Sequence, residues 1–235
     1  MIRRILLTLL LLAPLAVLGA VFSGLLRIPP EWDPRAPLDF RAEPNLMTPW
    51  KMARIGLQPS ACLAAFEASG ITPQRLPDRP EENGCALVNT MRLQGESAVL
   101  SPARPVVTCP VAAAWLMFER HALQPAAEAH FNSSVTGVRH LGSYACRNVY
   151  GRAAGRRSQH ATANAIDIAG FTLANGREVR LPRDWGEAAD GSPAAFLRDV
   201  RDGACRFFGA VLGPDYNAAH RDHFHMEAGR WRRCS

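Results

Sequence analysis

Residues 158–167 read Ser-Gln-His-Ala-Thr-Ala-Asn-Ala-Ile-Asp, and residues 220–227 read His-Arg-Asp-His-Phe-His-Met-Glu. These two stretches decide how the chain is read. His223 and His225 are two apart, so on a strand both rings project from one face while Phe224 and Met226 enter the core. His220 lies just ahead and reaches the same point from a loop. In the earlier stretch, His160 and Asp167 are separated by small residues that let the backbone turn tightly into a strand. An Asp inside an apolar strand is costly to bury without a partner. His160, Asp167 and one of the later histidines make a His₂Asp set. Three such ligands with an open fourth position form the pattern of a catalytic zinc site, and nitrogen and oxygen donors suit zinc. His121, His130 and His140 stand apart from both clusters and read as surface or satisfied core residues.

Outward from these stretches, elements of both kinds alternate. Residues 57–69 have helical spacing up to Gly70. Residues 85–100 suggest strand and turn, broken at Gly95. Thr108 is placed to cap a helix over 109–121, with Cys109 and Pro110 in its first turn. Strands are expected over 135–141, 165–171 and 224–227, and a helix over 193–209. No βαβ repeat organises them, so the fold class is α+β.

The ends say where the protein works. Residues 5–26 carry no charge, and as a helix they would span about 33 Å, enough for a hydrocarbon core. Arg3 and Arg4 precede the run, which orients the following chain outward. A cleaved signal peptide and an uncleaved anchor both fit. The anchor fits better, because Leu18-Gly19-Ala20 is a poor small-x-small cleavage site. The prolines of 28–53 suggest an extended tether, with the folded domain over 54–235. Six cysteines, Cys62, Cys85, Cys109, Cys146, Cys205 and Cys234, all follow the apolar run and contain no CxxC. They read as three disulfides in an oxidising compartment. Nearest-neighbour pairing would give Cys62–Cys85, Cys109–Cys146 and Cys205–Cys234. The net charge is +6. Setting aside Arg3, Arg4 and Arg27 leaves 24 basic against 21 acidic residues, too weak a footprint for nucleic acid. A periplasmic protein held at the bacterial inner membrane by residues 5–26 is expected.

The two stretches resemble the zinc D-Ala-D-Ala peptidase superfamily, which includes murein endopeptidases and hedgehog signalling domains. Ser158, His160, Ala165 and Asp167 match its S-x-H-x-x-G-x-A-x-D signature, with Ala163 in place of the glycine. His220, His223 and His225 match the H-x-x-H-x-H of the murein endopeptidases. With the stretch 144–151, Tyr-Ala-Cys-Arg-Asn-Val-Tyr-Gly, the chain looks most like the bacterial extensin-like C-terminal domain family over roughly 54–235. The resemblance implies a central, mainly antiparallel sheet flanked by helices. It implies one zinc ion held by His160, Asp167 and His225, with His223 and His220 moving protons and Ser158 bracing the loop. It also implies an arginine that binds a substrate carboxylate or an oxyanion, Arg147 first and Arg139 second.

The activity so implied is zinc-dependent hydrolysis of an amide, with the peptides of peptidoglycan as the substrate an exported enzyme meets. Histidine is expected to act as the base, with Glu227 as a lesser candidate. The alternative is a zinc-stabilised wall-binding module without turnover. His220 and His223 favour the enzyme, since a structural site has no use for two further rings.

Overall fold

The computed structural model describes residues 12–17, 19–21, 23–80, 83–102, 104–189, 191–229 and 232–235. The expected membrane-crossing run at 5–26 falls partly on residues outside that set. Among the described residues no helix is long and apolar enough to cross a membrane.

The chain is α+β, as its mixed pattern suggested. Two helices, α1 (Thr48–Leu57) and α2 (Pro59–Ala68), are split at Gln58. Gln58 precedes Pro59 and is extended, the backbone state that proline imposes on its predecessor. Strand β1 (Gln74–Arg75), β2 (Thr90–Arg92) and, beyond β3 (Val99–Ser101), β4 (Val106–Thr108) form a small antiparallel sheet in the order β1-β2-β4. Helix α3 (Cys109–Phe118) follows directly. Every residue of α3 except Pro110 is buried, the mark of a helix that is apolar all round. Each large side chain buried there contributes roughly 1.5–3 kcal/mol.

The helix does not stop at residue 121 as expected. It widens into a π-helical turn, Glu119–Leu123, and continues as α4 (Gln124–Phe131). Nor does Thr108 cap it. The Thr108 hydroxyl donates to Asn164 Oδ1 at 2.7 Å instead.

The main sheet holds seven strands. Its path is β10 (Arg233–Cys234), β8 (Ala210–Leu212), β9 (Phe224–Glu227), β6 (Ala165–Leu173), β5 (Val135–Gly142) and β3, with β7 (Glu178–Arg180) also paired to β6. Only the β10–β8 and β3–β5 pairs are parallel, so the sheet is mainly antiparallel. Helix α5 (Leu181–Asp184) follows β7, and α6 (Pro193–Ala204) is shorter than the expected 193–209.

Three disulfides form, Cys62–Cys109, Cys85–Cys146 and Cys205–Cys234. Only the last is a nearest-neighbour pair. Helix α2 packs on α3, which brings Cys62 to Cys109 across 47 residues. Neighbours in sequence were not neighbours in space. The disulfides agree with an oxidising compartment, extracellular or periplasmic.

The proline-rich 28–53 is not an extended tether. Leu38 and Phe40 belong to the core, and α1 begins inside this segment. Lys51 Nζ donates to the Pro30 carbonyl at 2.6 Å, and Arg54 Nη1 donates to those of Pro34 and Arg35. The domain therefore starts well before residue 54.

Candidate metal centre

The centre is built on the central strand pair. In the β6–β9 register, Ile166 lies opposite Met226 and Ile168 opposite Phe224. All four are buried in the core. The alternate positions, Asp167 opposite His225 and Ala165 opposite Glu227, project from the other face. A two-residue period thus sets one carboxylate and one imidazole side by side.

His160 arrives from the loop before β6. Ser158 opens a 3₁₀ turn, Gln159–Thr162, and its hydroxyl accepts from the His160 N–H at 3.3 Å. Ala163 closes the turn in the left-handed region, with φ 55°. That is where the signature glycine would stand, and the methyl group makes the conformation uncomfortable. The expected bracing by Ser158 is therefore present, and the glycine position is one that needs a positive φ.

Three atoms converge. His160 Nε2 lies 3.2 Å from Asp167 Oδ1 and 3.0 Å from His225 Nδ1, and His225 Nδ1 lies 3.0 Å from Asp167 Oδ1. A tetrahedral zinc ion with bonds of about 2.0–2.1 Å sets adjacent donors about 3.3–3.4 Å apart, so the triangle needs to open by only a few tenths of an ångström.

The outward nitrogens show what fits inside. His160 Nδ1 is 3.1 Å from the Ser143 carbonyl, and His225 Nε2 is 3.1 Å from Glu227 Oε2. A carbonyl and a carboxylate only accept, so both outer nitrogens donate, an arrangement that fixes metal-ligating imidazoles. Gly229 leaves room for that Glu227 carboxylate, since a Cβ there would stand 2.8 Å from Oε1. Both inner nitrogens then offer lone pairs beside the Asp167 oxygen. In the metal-free cluster a proton on the inner nitrogen of His225 meets the Asp167 oxygen. Burial pushes His225 down, but its bonds to Asp167 and Glu227 outweigh this and lift it to about 9. Burial would likewise raise Asp167, yet His160 and His225 hold its carboxyl well below the usual carboxylate range. The donor set suits a divalent cation such as zinc, which satisfies all three acceptors at once.

The other expected residues are placed as follows. His223 Nδ1 donates to Asp222 Oδ1 at 2.9 Å, and its Nε2 stands 3.5 Å from Asp167 Oδ1, too far for a hydrogen bond. The His220 ring is buried, with its centroid 5.4 Å from that of His223 and 5.8 Å from that of His225. Burial first, then the nearby His225 and His223, depress its pKa to about 4. Arg147 is exposed, and its side chain makes no hydrogen bond or ion pair among the described residues. Its carbonyl accepts from Ser158 N–H, so it stands on the loop that leads into the 3₁₀ turn. Arg139 pairs opposite Gly170, farther along β6 than Asp167, in a shallow groove with Glu178 and Arg180. It is not brought to the centre. Glu227 orients His225 and is not placed as a base.

Ser143, Asp222, Asn217 and Tyr150 also join the assembly. Asp222 and Asn217 flank the histidines in sequence, and their nearness was a usable signal. Ser143 acts through its carbonyl, which no sequence pattern displays. The bland histidines are as expected where their partners are clear, with His121 donating to the Phe40 carbonyl and His130 paired to Asp199.

A family model described as the extensin-like protein C-terminus matches residues 60–235. No curated protein and no solved structure matches the chain.

Proposed function

The chain belongs to the extensin-like C-terminal family, and from that premise we propose that it is a zinc-dependent amide hydrolase of the cell envelope, acting on peptidoglycan peptides. One observation carries the reading: three lone-pair atoms lie 3.0–3.2 Å apart, each imidazole tied from outside. Such a set is built for a cation rather than for its own stability. The likeness of its motifs to the D-Ala-D-Ala peptidases supports the reaction class.

In this reading His160, Asp167 and His225 hold one zinc ion. Bound there, it supplies Lewis acidity toward a scissile carbonyl and a water nucleophile. His223 and His220 lie beside the three ligands and have free ring nitrogens, so they take the proton from water and return it to the leaving amine. Arg147 stands on a loop that also exposes Arg152, Arg156 and Arg157 and has no acidic residue between 144 and 158. An arginine fork there suits the carboxylates of a wall peptide. The protein works in the periplasm, held at the inner membrane by residues 5–26.

The test is incubation with purified sacculi, with and without chelator, and mass analysis of what is released. Chelator-sensitive peptide fragments support the proposal. A zinc-loaded protein that binds sacculi and releases nothing would move the assignment to a wall-binding module.

A further inference from the structure

His220 is held by contacts that the metal centre does not require. Asn217 Oδ1 accepts from the Ala219 N–H at 2.9 Å. A backbone N–H can only donate, so that side-chain atom is the oxygen and the amide orientation is fixed. His220 Nδ1 lies 2.8 Å from the same oxygen and must therefore carry a proton. On its other side, Asn217 Nδ2 donates to the Tyr150 hydroxyl at 3.0 Å. Tyr216 packs edge-on to the His220 ring at 5.3 Å, and Tyr150 does so at 6.4 Å.

Tyr150 is the unusual member. Its backbone is left-handed, with φ 57° and ψ 22°. A bulky residue is strained in that conformation. Its side chain is 49% exposed, so burial does not account for the strain. The conformation does deliver the phenol oxygen to Asn217.

We propose that Asn217 and Tyr150 are positioning residues that lock His220 as the Nδ1–H tautomer, leaving Nε2 as its basic nitrogen. The role of that nitrogen in proton transfer rests on the hydrolase reading, but the lock itself does not. Each proton-moving histidine then has its Nδ1 occupied. His223 has a carboxylate partner, Asp222, and His220 has a neutral amide. An amide fixes the ring's orientation without placing a charge beside it.

The experiment is long-range ¹H–¹⁵N correlation on the histidine-labelled full chain, metal-free and zinc-loaded. His220 should show a protonated Nδ1 and an unprotonated Nε2 in both. Asn217→Ala should give a mixture of tautomers and lower kcat about tenfold or more, with KM little changed. Asn217→Asp keeps the acceptor oxygen and should restore the single tautomer. Tyr150→Phe should give a partial mixture. His220 protonated on Nε2 in the parent, or a single Nδ1–H tautomer persisting in folded Asn217→Ala, would overturn the proposal. A parent that cleaves no wall peptide would sink the hydrolase reading alone, since the spectra still decide the lock.

Discussion

The carboxylates of Glu119 and Asp167 have opposite surroundings. Glu119 is fully buried where α3 widens into its π turn. It accepts from the N–H groups of Glu96, Ser97 and Ala98, from the Ser97 hydroxyl and from Trp115 Nε1, all within 3.1 Å. Asp167 instead faces two imidazole nitrogens whose rings are tied from outside, and it meets one of them, on His225, through a proton. A carboxylate ringed by donors is finished, and it ties the 96–98 loop to the helix. Asp167, without a cation, is held by a proton on His225 that a metal ion would displace. Burial alone does not separate a structural acid from a functional one, but the polarity of its neighbours does.

The sharpest way to break this contrast is to neutralise each acid. Asp167→Asn should lower zinc affinity by at least about 10³-fold, roughly 4 kcal/mol. The metal-free fold should change by less than about 1 kcal/mol, because the amide can donate to the His225 nitrogen once that ring gives up its proton. Competition with a chromophoric chelator reads the first and urea unfolding the second. His160→Ala should lose metal similarly. Retention of one equivalent of zinc at parental affinity in either variant would remove Asp167 and His160 from the ligand set.

Glu119→Gln should do the reverse. The amide turns an NH₂ toward groups that donate, leaving buried donors unpaired at about 1–3 kcal/mol each. A loss near 3 kcal/mol is expected in urea unfolding, while the folded variant binds zinc like the parent. A neutral outcome would mean that the donors around Glu119 are satisfied by other means.

The metal centre should also respond to pH. With His225 lifted to about 9 in the metal-free domain, its protonated form contributes stability below the unfolded value near 6.5. That contribution is lost as pH rises toward 9. Zinc needs the deprotonated ring, so uptake at pH 7 should release about one proton, and apparent affinity should rise about tenfold per pH unit up to pH 9. Calorimetry in buffers of different ionisation enthalpy counts the proton. Zero release at pH 7 would place the proton elsewhere. His220, held near 4, stays neutral throughout this window and remains able to accept a proton.

How much was legible in advance follows from which residues carry local signals. The β6–β9 pair could be read because alternation forces Ile166, Ile168, Phe224 and Met226 inward and Asp167 and His225 outward. Spacing brought His160 and Asp167 together with one of three later histidines, and the choice of His225 among them came from the family resemblance. Glu119 was invisible, because its partners in the 96–98 loop lie more than 20 residues upstream and nothing at 119 marks a buried acid. The disulfide partners were equally hidden, since their pairing depends on how helices pack. The proline-rich 28–53 misled for a related reason. Composition reported the backbone preference correctly, but Phe40, Lys51 and Arg54 fastened the segment to the domain.

The smallest expected effect tests whether the loop that carries His160 is strained. Ala163 is wholly buried and left-handed, with φ 55°, and its carbonyl accepts from Thr108 N–H at 2.9 Å. Glycine at this position would relieve about 1 kcal/mol of backbone strain. It would also forfeit a buried methyl group worth about 0.8 kcal/mol and gain unfolded-state entropy. The terms nearly cancel, so Ala163→Gly should shift stability by less than about 0.5 kcal/mol and leave zinc affinity within about twofold. Thermal unfolding and the chelator competition read the two quantities. A loss of 2 kcal/mol or more would show that the methyl packs better than the strain argument allows. A large fall in zinc affinity would mean that His160 depends on Ala163 to hold its turn. The near-balance accounts for an alanine where the backbone asks for glycine: its buried methyl group offsets the strain.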